Sequence, residues 1–361
     1  MFELHINETT YLSYIEPYHA PALYQLLQQN RDHLAPHVPW AVKVNDIETA
    51  REVIRQLRTM FVSGDGLGAF IWHKGQLAGY VGLHIGEQRD TAEIGYWLGE
   101  AFTGKGLATL AAEAIASYAF QELGLEKLHI RTKSDNIRSI AIAERLNFSY
   151  LETLSSEKGQ FKVYQISREQ WPSNGDRRAF EHRIDDEMAL RLIEERHATM
   201  LFHIIDENRA HLRQWMPWLD ITRTPADTLD FIQRSLKQYG EFKGMNVGIW
   251  YHGQLVGVCG YHEWDFSNRK TSIGYWLSAA STGKGIMTRA ARAIVAYALE
   301  TLDLNRIELR CAVGNDRSCA IAKRLGFTHE GVLRAAEWLY NHFVDHNVYS
   351  ILQTEWREQT A

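Results

Sequence analysis

Cysteine is scarce: Cys259, Cys311 and Cys319 are the only three in 361 residues, all in the second half. Their spacing fits no metal-ligand pattern, so they read as small buried hydrophobes of a reducing compartment. No apolar stretch is long enough to span a bilayer. The opening Met1-Phe2-Glu3-Leu4-His5 has neither the basic region nor the apolar run of a secretion signal, so a soluble, cytoplasmic protein with no membrane partner is expected. Strong charge of either sign is also missing. A formal net charge of −5 gives no general affinity for polyanions and argues against direct nucleic-acid binding, while tolerating cationic substrates such as amines or basic peptides. Disorder is excluded by 45% hydrophobic and 11% aromatic residues, and the length suits two domains.

What the chain does have is a repeat. Ile94 to Phe148 aligns with Ile273 to Phe327 without a gap, with 29 of 55 positions identical. Both copies open with Ile-Gly-Tyr-Trp-Leu, run through Thr-Gly-Lys-Gly (103–106 and 282–285), and close on Asn-x-x-Ser and Arg-Leu-(Asn/Gly)-Phe. Weaker matches extend outward: Phe2-Glu3 with Phe180-Glu181, Asn30-Arg31 with Asn208-Arg209, Pro39-Trp40 with Pro217-Trp218, and His84 with His262. Two copies are too few for a solenoid, so this is a duplicated globular domain. The expected boundaries are 1–170 and 179–361, with a linker at 171–178 that carries Trp171-Pro172-Ser173-Asn174-Gly175-Asp176.

The periodicities predict one architecture twice. Leu23, Leu26 and Leu27 (Leu201, Ile204 and Ile205 in the second copy) mark one helical face. A second helix is expected after Asp46, with Ile54, Leu57 and Phe61 inward. Its counterpart has Thr224 as cap, Pro225 at the first position and Asp227 completing a capping box. A hairpin across His73-Lys74-Gly75-Gln76 follows. In the strand Glu93–Leu98 two adjacent aromatics must face opposite ways unless a bulge intervenes. Then come a glycine turn, a helix, the strand Lys127–Thr132 (Arg306–Cys311), and a helix ending at Asn147 or Gly326, residues that tolerate the left-handed position. The order predicts a mixed α/β layer.

A strand entering a glycine turn and then a helix N-terminus is suited to an anion. Backbone N–H groups approach a phosphate, the helix dipole favours its charge, and Lys105 or Lys284 adds a cation. The turn is neither a Walker A loop nor a dinucleotide fingerprint, because the required spacing, third glycine and later acid are absent. His33 and His37 flank Pro36 and are not repeated, so no metal is expected. No nucleophile elbow supports a triad around His342 and Asp345.

These motifs resemble the GNAT acetyltransferase superfamily, and within it the RimL/RimJ group of protein N-terminal acetyltransferases. The resemblance spans nearly all of both halves. It is strongest in the second, in Ile273–Leu277, Thr282–Thr288, Arg310–Asn315, Gly326–Gly331 and Asp345–Tyr349. It implies two tandem domains, each a mostly antiparallel mixed sheet flanked by helices, that use acetyl-CoA as co-substrate. The turns Thr103-Gly104-Lys105-Gly106 and Thr282-Gly283-Lys284-Gly285, with Thr109 and Thr288 in the helices behind them, would hold the pyrophosphate. The splayed strands, through Trp97 and Leu98 or Trp276 and Leu277, and Asn136 or Asn315 would hold the pantetheine. The superfamily often has Gln or Arg three residues before the first glycine, where this chain has Ala101 and Ala280.

The resemblance assigns Ser139 and Ser318 as proton donors to the leaving thiolate; alone, they read equally well as first-turn residues beside a cap. A carboxylate must take a proton from the ammonium before attack. Glu93 and Glu100 are the candidates in the first copy. Ser272 and Ala279 replace them in the second, leaving Glu263 or Asp265. The acceptor implied is a protein or peptide N-terminus, possible ribosomal proteins included. The alternatives are a small-molecule amine, or a tandem acyl-CoA-binding module with one or both halves non-catalytic. Phe148 to Tyr164 spans 16 residues where Phe327 to Tyr349 spans 22, which predicts different acceptors for the halves. Trp215-Met216-Pro217-Trp218 is a candidate acceptor wall, or core packing.

Overall fold

Caps and turns encoded in the repeat decide where its elements start and stop. The computed structural model describes residues 1–157, 159–172 and 179–360, and the chain divides into two units, Met1–Phe180 and Glu181–Ala361. The first unit runs β1 (Glu3–Asn7), β2 (Thr10–Tyr14), α1 (Ala20–Gln29), α2 (Arg31–Leu34), α3 (Ile47–Val62), β3 (Gly66–His73), β4 (Gln76–Ile85), β5 (Thr91–Leu98), α4 (Leu107–Gln121), β6 (Lys127–Lys133), α5 (Ile137–Arg145), β7 (Ser149–Ser156) and β8 (Gly159–Ser167). The second runs β9 (His182–Arg183), β10 (Met188–Leu192), α6 (Ala198–Glu207), α7 (Arg209–Leu212), α8 (Pro225–Gly240), β11 (Met245–Tyr251), β12 (Gln254–Tyr261), β13 (Lys270–Leu277), α9 (Ile286–Ala296), β14 (Arg306–Ala312), α10 (Asp316–Arg324), β15 (Thr328–Leu339), β16 (His342–Leu352) and α11 (Gln353–Thr360). Each unit is an eight-stranded sheet, ordered β1-β2-β3-β4-β5-β6-β8-β7 and β9-β10-β11-β12-β13-β14-β16-β15.

The expected caps form. The Asp46 side chain accepts the Thr49 N–H at 2.7 Å, and Thr224 and Asp227 make a reciprocal capping box with Pro225 in the first turn. Asn147 and Gly326 close α5 and α10 at φ +60° and +76°. Lys74 and Gly75 are both left-handed, which makes the β3–β4 hairpin a type I′ turn. Leu23, Leu26, Leu27 and Ile54 are buried in one cluster with Phe70 and Trp97, whereas Leu57 and Phe61 are half-buried. Each fully buried aliphatic side chain contributes roughly 1.5–3 kcal/mol.

Periodicity missed Arg58, which is 4% exposed in the inward face of α3 and forms a 2.6 Å ion pair with the equally buried Glu16. Trp171, expected to open the linker, is packed instead on Phe120 and Phe148 and donates to Ser117 Oγ at 3.2 Å. The rest of that expected linker, 173–178, lies outside the described residues.

One feature of each sheet positions everything that follows. Among the described residues, only β5–β6 and β13–β14 pair in parallel, because a helix must cross between them. The β5–β6 ladder ends at Glu93↔His129, although β5 continues to Leu98 and β6 to Lys133. The β13–β14 ladder likewise ends at Ile273↔Leu309. The strands diverge there, leaving a V-shaped opening that points at the glycine turn.

Candidate active site

The glycine turns follow directly from the diverging strands. Gly104 and Gly106 have φ +74° and +75°, Gly283 and Gly285 +79° and +73°, and a Cβ on any of the four would meet no atom within 4 Å. The left-handed backbone explains glycine there, and the open space leaves the N–H groups at the starts of α4 and α9 accessible to an anion. Both turns are braced from a distance. Asn30 Oδ1 accepts the Glu100 N–H at 2.7 Å, and Asn208 Oδ1 accepts the Ala279 N–H at 2.9 Å. The Thr103 and Thr282 hydroxyls donate inward, at 2.8 Å, to the Glu100 and Ala279 carbonyls. Thr109 and Thr288 hydroxyls accept from Arg145 and Arg324 at 2.8 and 2.9 Å. These two arginines belong to the repeated Arg-Leu-(Asn/Gly)-Phe, and each adds fixed positive charge behind its turn. Lys105 and Lys284 are exposed beside it.

The two adjacent aromatics separate as strand geometry requires, and the β4–β5 register has no bulge. Trp97 faces the α1–α3 cluster, edge-on to Trp40 at 6.2 Å. Its indole N–H is buried without an acceptor among the described residues. Tyr96 turns to the opposite face, where its hydroxyl lies 2.8 Å from Ser139 Oγ; Tyr275 and Ser318 repeat this at 3.0 Å. Burial pushes the Tyr96 phenol up to about 12, and Tyr275 is also raised by burial, so both stay protonated at neutral pH. The resemblance implies a part for these tyrosines only as backbone of the splayed strand; the partnership of their hydroxyls with the repeated Asn-x-x-Ser is new, and its signal is their recurrence in both copies. Asn136 and Asn315 cap α5 and α10 by accepting the Ser139 and Ser318 N–H groups at 3.2 Å, which leaves their amide nitrogens as the groups able to meet a ligand.

The other face carries the carboxylates. Glu93 occupies the last rung of the β5–β6 ladder, between His84 and His129, and pairs with Arg131 at 3.2 Å. Glu100 is exposed at the far end of the diverging strand, in the turn before Thr103. In the second unit Ser272 replaces Glu93, and the carboxylate on that rung moves one strand over to Glu308, held by Arg310 at 2.5 Å and Arg306 at 3.3 Å. Glu330 joins this network through Arg306 and Ser350, which hold its carboxyl at about 2. Glu263 lies in the exposed loop after β12. Asp265 accepts from the Asn268 N–H and side-chain amide at 2.9 and 2.7 Å, which lowers its pKa and ties it to its own loop. In the sequence His262 stands out only as a marker of the repeat. The residue is exposed overall, but its ring lies against Gly274, where a Cβ would approach Nε2 to 3.1 Å, and this partial burial, followed by Arg310, lowers its pKa. It stands where the strands begin to part. Among the described residues no three His, Cys, Asp or Glu side chains gather as a metal site, and no helix is long and apolar enough to cross a membrane.

A family model for the acetyltransferase (GNAT) domain matches residues 10–149 and again 187–328. The "Putative ribosomal N-acetyltransferase YdaF" of Bacillus subtilis (strain 168) is 36% identical over 181 residues, 49% of this chain and 97% of that protein. The ribosomal-protein-serine acetyltransferase of Escherichia coli (strain K12) is 27% identical over 168 residues, covering 46% and 94%. The solved structure of the microcin C7 self-immunity acetyltransferase MccE in complex with acetyl-CoA and AMP is 32% identical, covers 47% of this chain and 94% of its own, and has a TM-score of 0.45. The chain belongs to the acetyltransferase (GNAT) family and carries the domain twice. Its activity is that of an acetyl-CoA-dependent N-acetyltransferase.

Proposed function

We propose that each unit transfers acetyl from acetyl-CoA to the α-amine of a protein or peptide, in the cytoplasm, by direct attack of the amine on the thioester. The observation that carries this reading is the coincidence, twice in one chain, of a strand divergence with an unobstructed left-handed glycine turn. The turn's N–H groups, helped by Lys105 or Lys284 and by Arg145 or Arg324, would take the phosphates, and the free edge of Tyr96–Leu98 or Tyr275–Leu277 the pantetheine. The Ser139 or Ser318 hydroxyl would protonate the departing thiolate, while the adjoining tyrosine hydroxyl passes it a replacement proton and takes one back from solvent. Glu93 would take the amine's proton in the first unit, and His262 in the second, where no carboxylate remains on β13. The ribosomal-protein names of the relatives make ribosomal-protein N-termini the first acceptors to try.

The test is acetyl-CoA turnover against a panel of N-terminal peptides, ribosomal proteins and small amines. Transfer to peptide α-amines is expected. Because the His262 pKa is lowered, second-unit turnover should persist to lower pH than an ordinary imidazole allows, and His262→Gln should remove that limb. A second reading has one observation in its favour, the replacement of both first-unit carboxylates by Ser272 and Ala279. It makes the second unit an acyl-CoA-binding module, and tight binding without turnover of any acceptor would establish it.

A further inference from the structure

Cys311 on β14 and Cys319 on α10 are free thiols whose Sγ atoms lie 2.8 Å apart, at 5% and 7% exposure. Cys319 directly follows Ser318 in the first turns of α10, and Cys311 lies on one arm of the strand divergence. A third group points at the pair: the Asn347 side-chain amide donates to Cys319 Sγ at 3.6 Å. The orientation of that amide is fixed from outside, because its oxygen can only accept, so His329 Nε2 donates to it at 3.1 Å. His329 is exposed and Asn347 half-buried, which gives a small molecule a short route to the sulfurs. The first unit has none of the four residues. Thr132, Ile140 and Tyr150 occupy the places of Cys311, Cys319 and His329, and Lys162 faces Thr132 as Asn347 faces Cys311.

We infer that Cys311 and Cys319 form a peroxide-reactive dithiol whose oxidation to a disulfide slows the second unit and spares the first. Cys319 is the attacking sulfur, because it receives the amide N–H and can also accept the Cys311 S–H. Burial and the neighbouring Cys319 hold the Cys311 thiol up at about 12, so it waits as the protonated partner. Cys319 attacks the peroxide O–O bond, giving a sulfenic acid and one water. Cys311 then attacks the sulfenic sulfur, forming the S–S bond and releasing a second water as the thiol proton leaves with the hydroxyl. Two thiols lose two electrons and the peroxide gains them. The new bond ties α10 to β14 one residue from Ser318 and so shifts its hydroxyl from Tyr275. The effect on turnover rests on the acetyl-transfer role proposed above; the chemistry of the dithiol does not.

The experiment treats the reduced full-length chain with hydrogen peroxide, quenches it, and counts thiols after denaturation. One thiol should remain of three, with a mass loss of two hydrogens and a peptide linking Cys311 to Cys319. The peroxide-sensitive part of acetyl transfer should fall by up to about a hundredfold, the cost of an ångström's misplacement of a reacting group. Dithiothreitol should restore it. Cys319→Ala should keep basal turnover and lose the sensitivity, while Cys311→Ser should leave a sulfenic acid at Cys319 that dimedone traps. Three thiols after treatment, a link through Cys259, a disulfide without change in turnover, or equal inactivation of wild type and Cys319→Ala would each overturn the proposal. A chain that forms the link but acetylates nothing even when reduced would instead count against the enzymatic reading of the second unit.

Discussion

The two units agree closely on one side of the sheet and part company on the other. On the donor side, Tyr96–Ser139 and Tyr275–Ser318 differ by 0.2 Å, from 2.8 to 3.0 Å, and the Thr–Arg braces by 0.1 Å, from 2.8 to 2.9 Å. Across the sheet, a glutamate–histidine rung in the first unit is a serine–glutamate rung in the second. The closing hairpin lengthens from β7 and β8, of 8 and 9 residues, to β15 and β16, of 12 and 11. On the reading proposed above, one donor molecule held largely through backbone would constrain both copies alike, and the face that would meet the acceptor would have no common partner to hold it fixed.

The comparison breaks most completely if the donor sites are not equivalent. Gly104→Asp and Gly283→Asp each force an L-residue into a left-handed turn and set a carboxylate where phosphate is to bind. The backbone term alone is about 1–2 kcal/mol, and charge repulsion adds to it. Calorimetry should count two acetyl-CoA sites in the parent chain and one in each variant. A parent with a single site, indifferent to one of the changes, would mean that one unit has lost the donor.

The next largest effect tests the cores. The first unit buries the Arg58–Glu16 pair, whereas the second has Leu236 at the arginine's place and its Glu194 pairs instead with Arg196 at 3.1 Å. Arg58→Leu therefore removes a buried cation from beside Glu16 and should cost the first unit about 3–5 kcal/mol in a denaturant titration. Glu16→Gln in the same chain should recover part of that loss. His19 beside this pair is depressed to about 3, by burial first and then by the N-terminal ammonium and Arg58. A depressed folded-state pKa gives stability that is complete above the unfolded value near 6.5. It is lost as pH falls towards 3, so the first unit should lose stability across that window.

Smaller again is the catalytic comparison. Ser139→Ala and Ser318→Ala should each lower turnover in their own unit by about a hundredfold without weakening acetyl-CoA binding. Tyr96→Phe and Tyr275→Phe should follow with a lesser loss in the same parameter. If the serines act only as first-turn helix residues, the variants will lose stability and keep kcat.

Much of this was legible from one chain because it contains its own alignment. The repeat located the diverging strand, the glycine turn and the helix behind it, and local chemistry such as Thr224 with Asp227, or Asn147 against Gly326, set helix ends correctly. What the sequence withheld depends on pairings distant along it. Arg58 reads as a surface residue until Glu16, 42 positions away, is brought beneath it. The sequence required Tyr96 and Trp97 to face opposite ways but did not say which faced the serine. Glu308 became a neighbour of the Ser272 position only through the register of two parallel strands, which hydrophobic pattern does not encode between buried strands.

The smallest expected effect sharpens the comparison at its most divergent point. At the tip of the β15–β16 hairpin, the Tyr340 hydroxyl donates to the Met216 carbonyl, and the Arg213 guanidinium lies 3.8 Å over the Tyr340 ring while paired with Asp220. The hairpin is thus fastened to the segment that carries Trp218, whose ring meets Trp276 of the diverging strand at 6.2 Å. A recess of about 460 Å³ remains between Arg213, Asp220, Tyr340 and His342. The first unit has Ala35 and Val42 at the places of Arg213 and Asp220, and its shorter hairpin exposes every residue of β7. If this face receives the acceptor, a fastened hairpin would admit an extended chain end-on, whereas an open face would impose no such selection. Tyr340→Phe and Arg213→Ala should therefore lower the ratio of kcat/KM for an N-terminal peptide to that for a small amine. The change should be roughly tenfold or less, the worth of one hydrogen bond and one cation–π contact. Acetyl-CoA affinity should not move. Loops also drift after duplication without consequence, and that account predicts an unchanged ratio. A drop in turnover equal for both acceptors would assign the latch to stability alone and leave the difference between the hairpins without a role in acceptor choice.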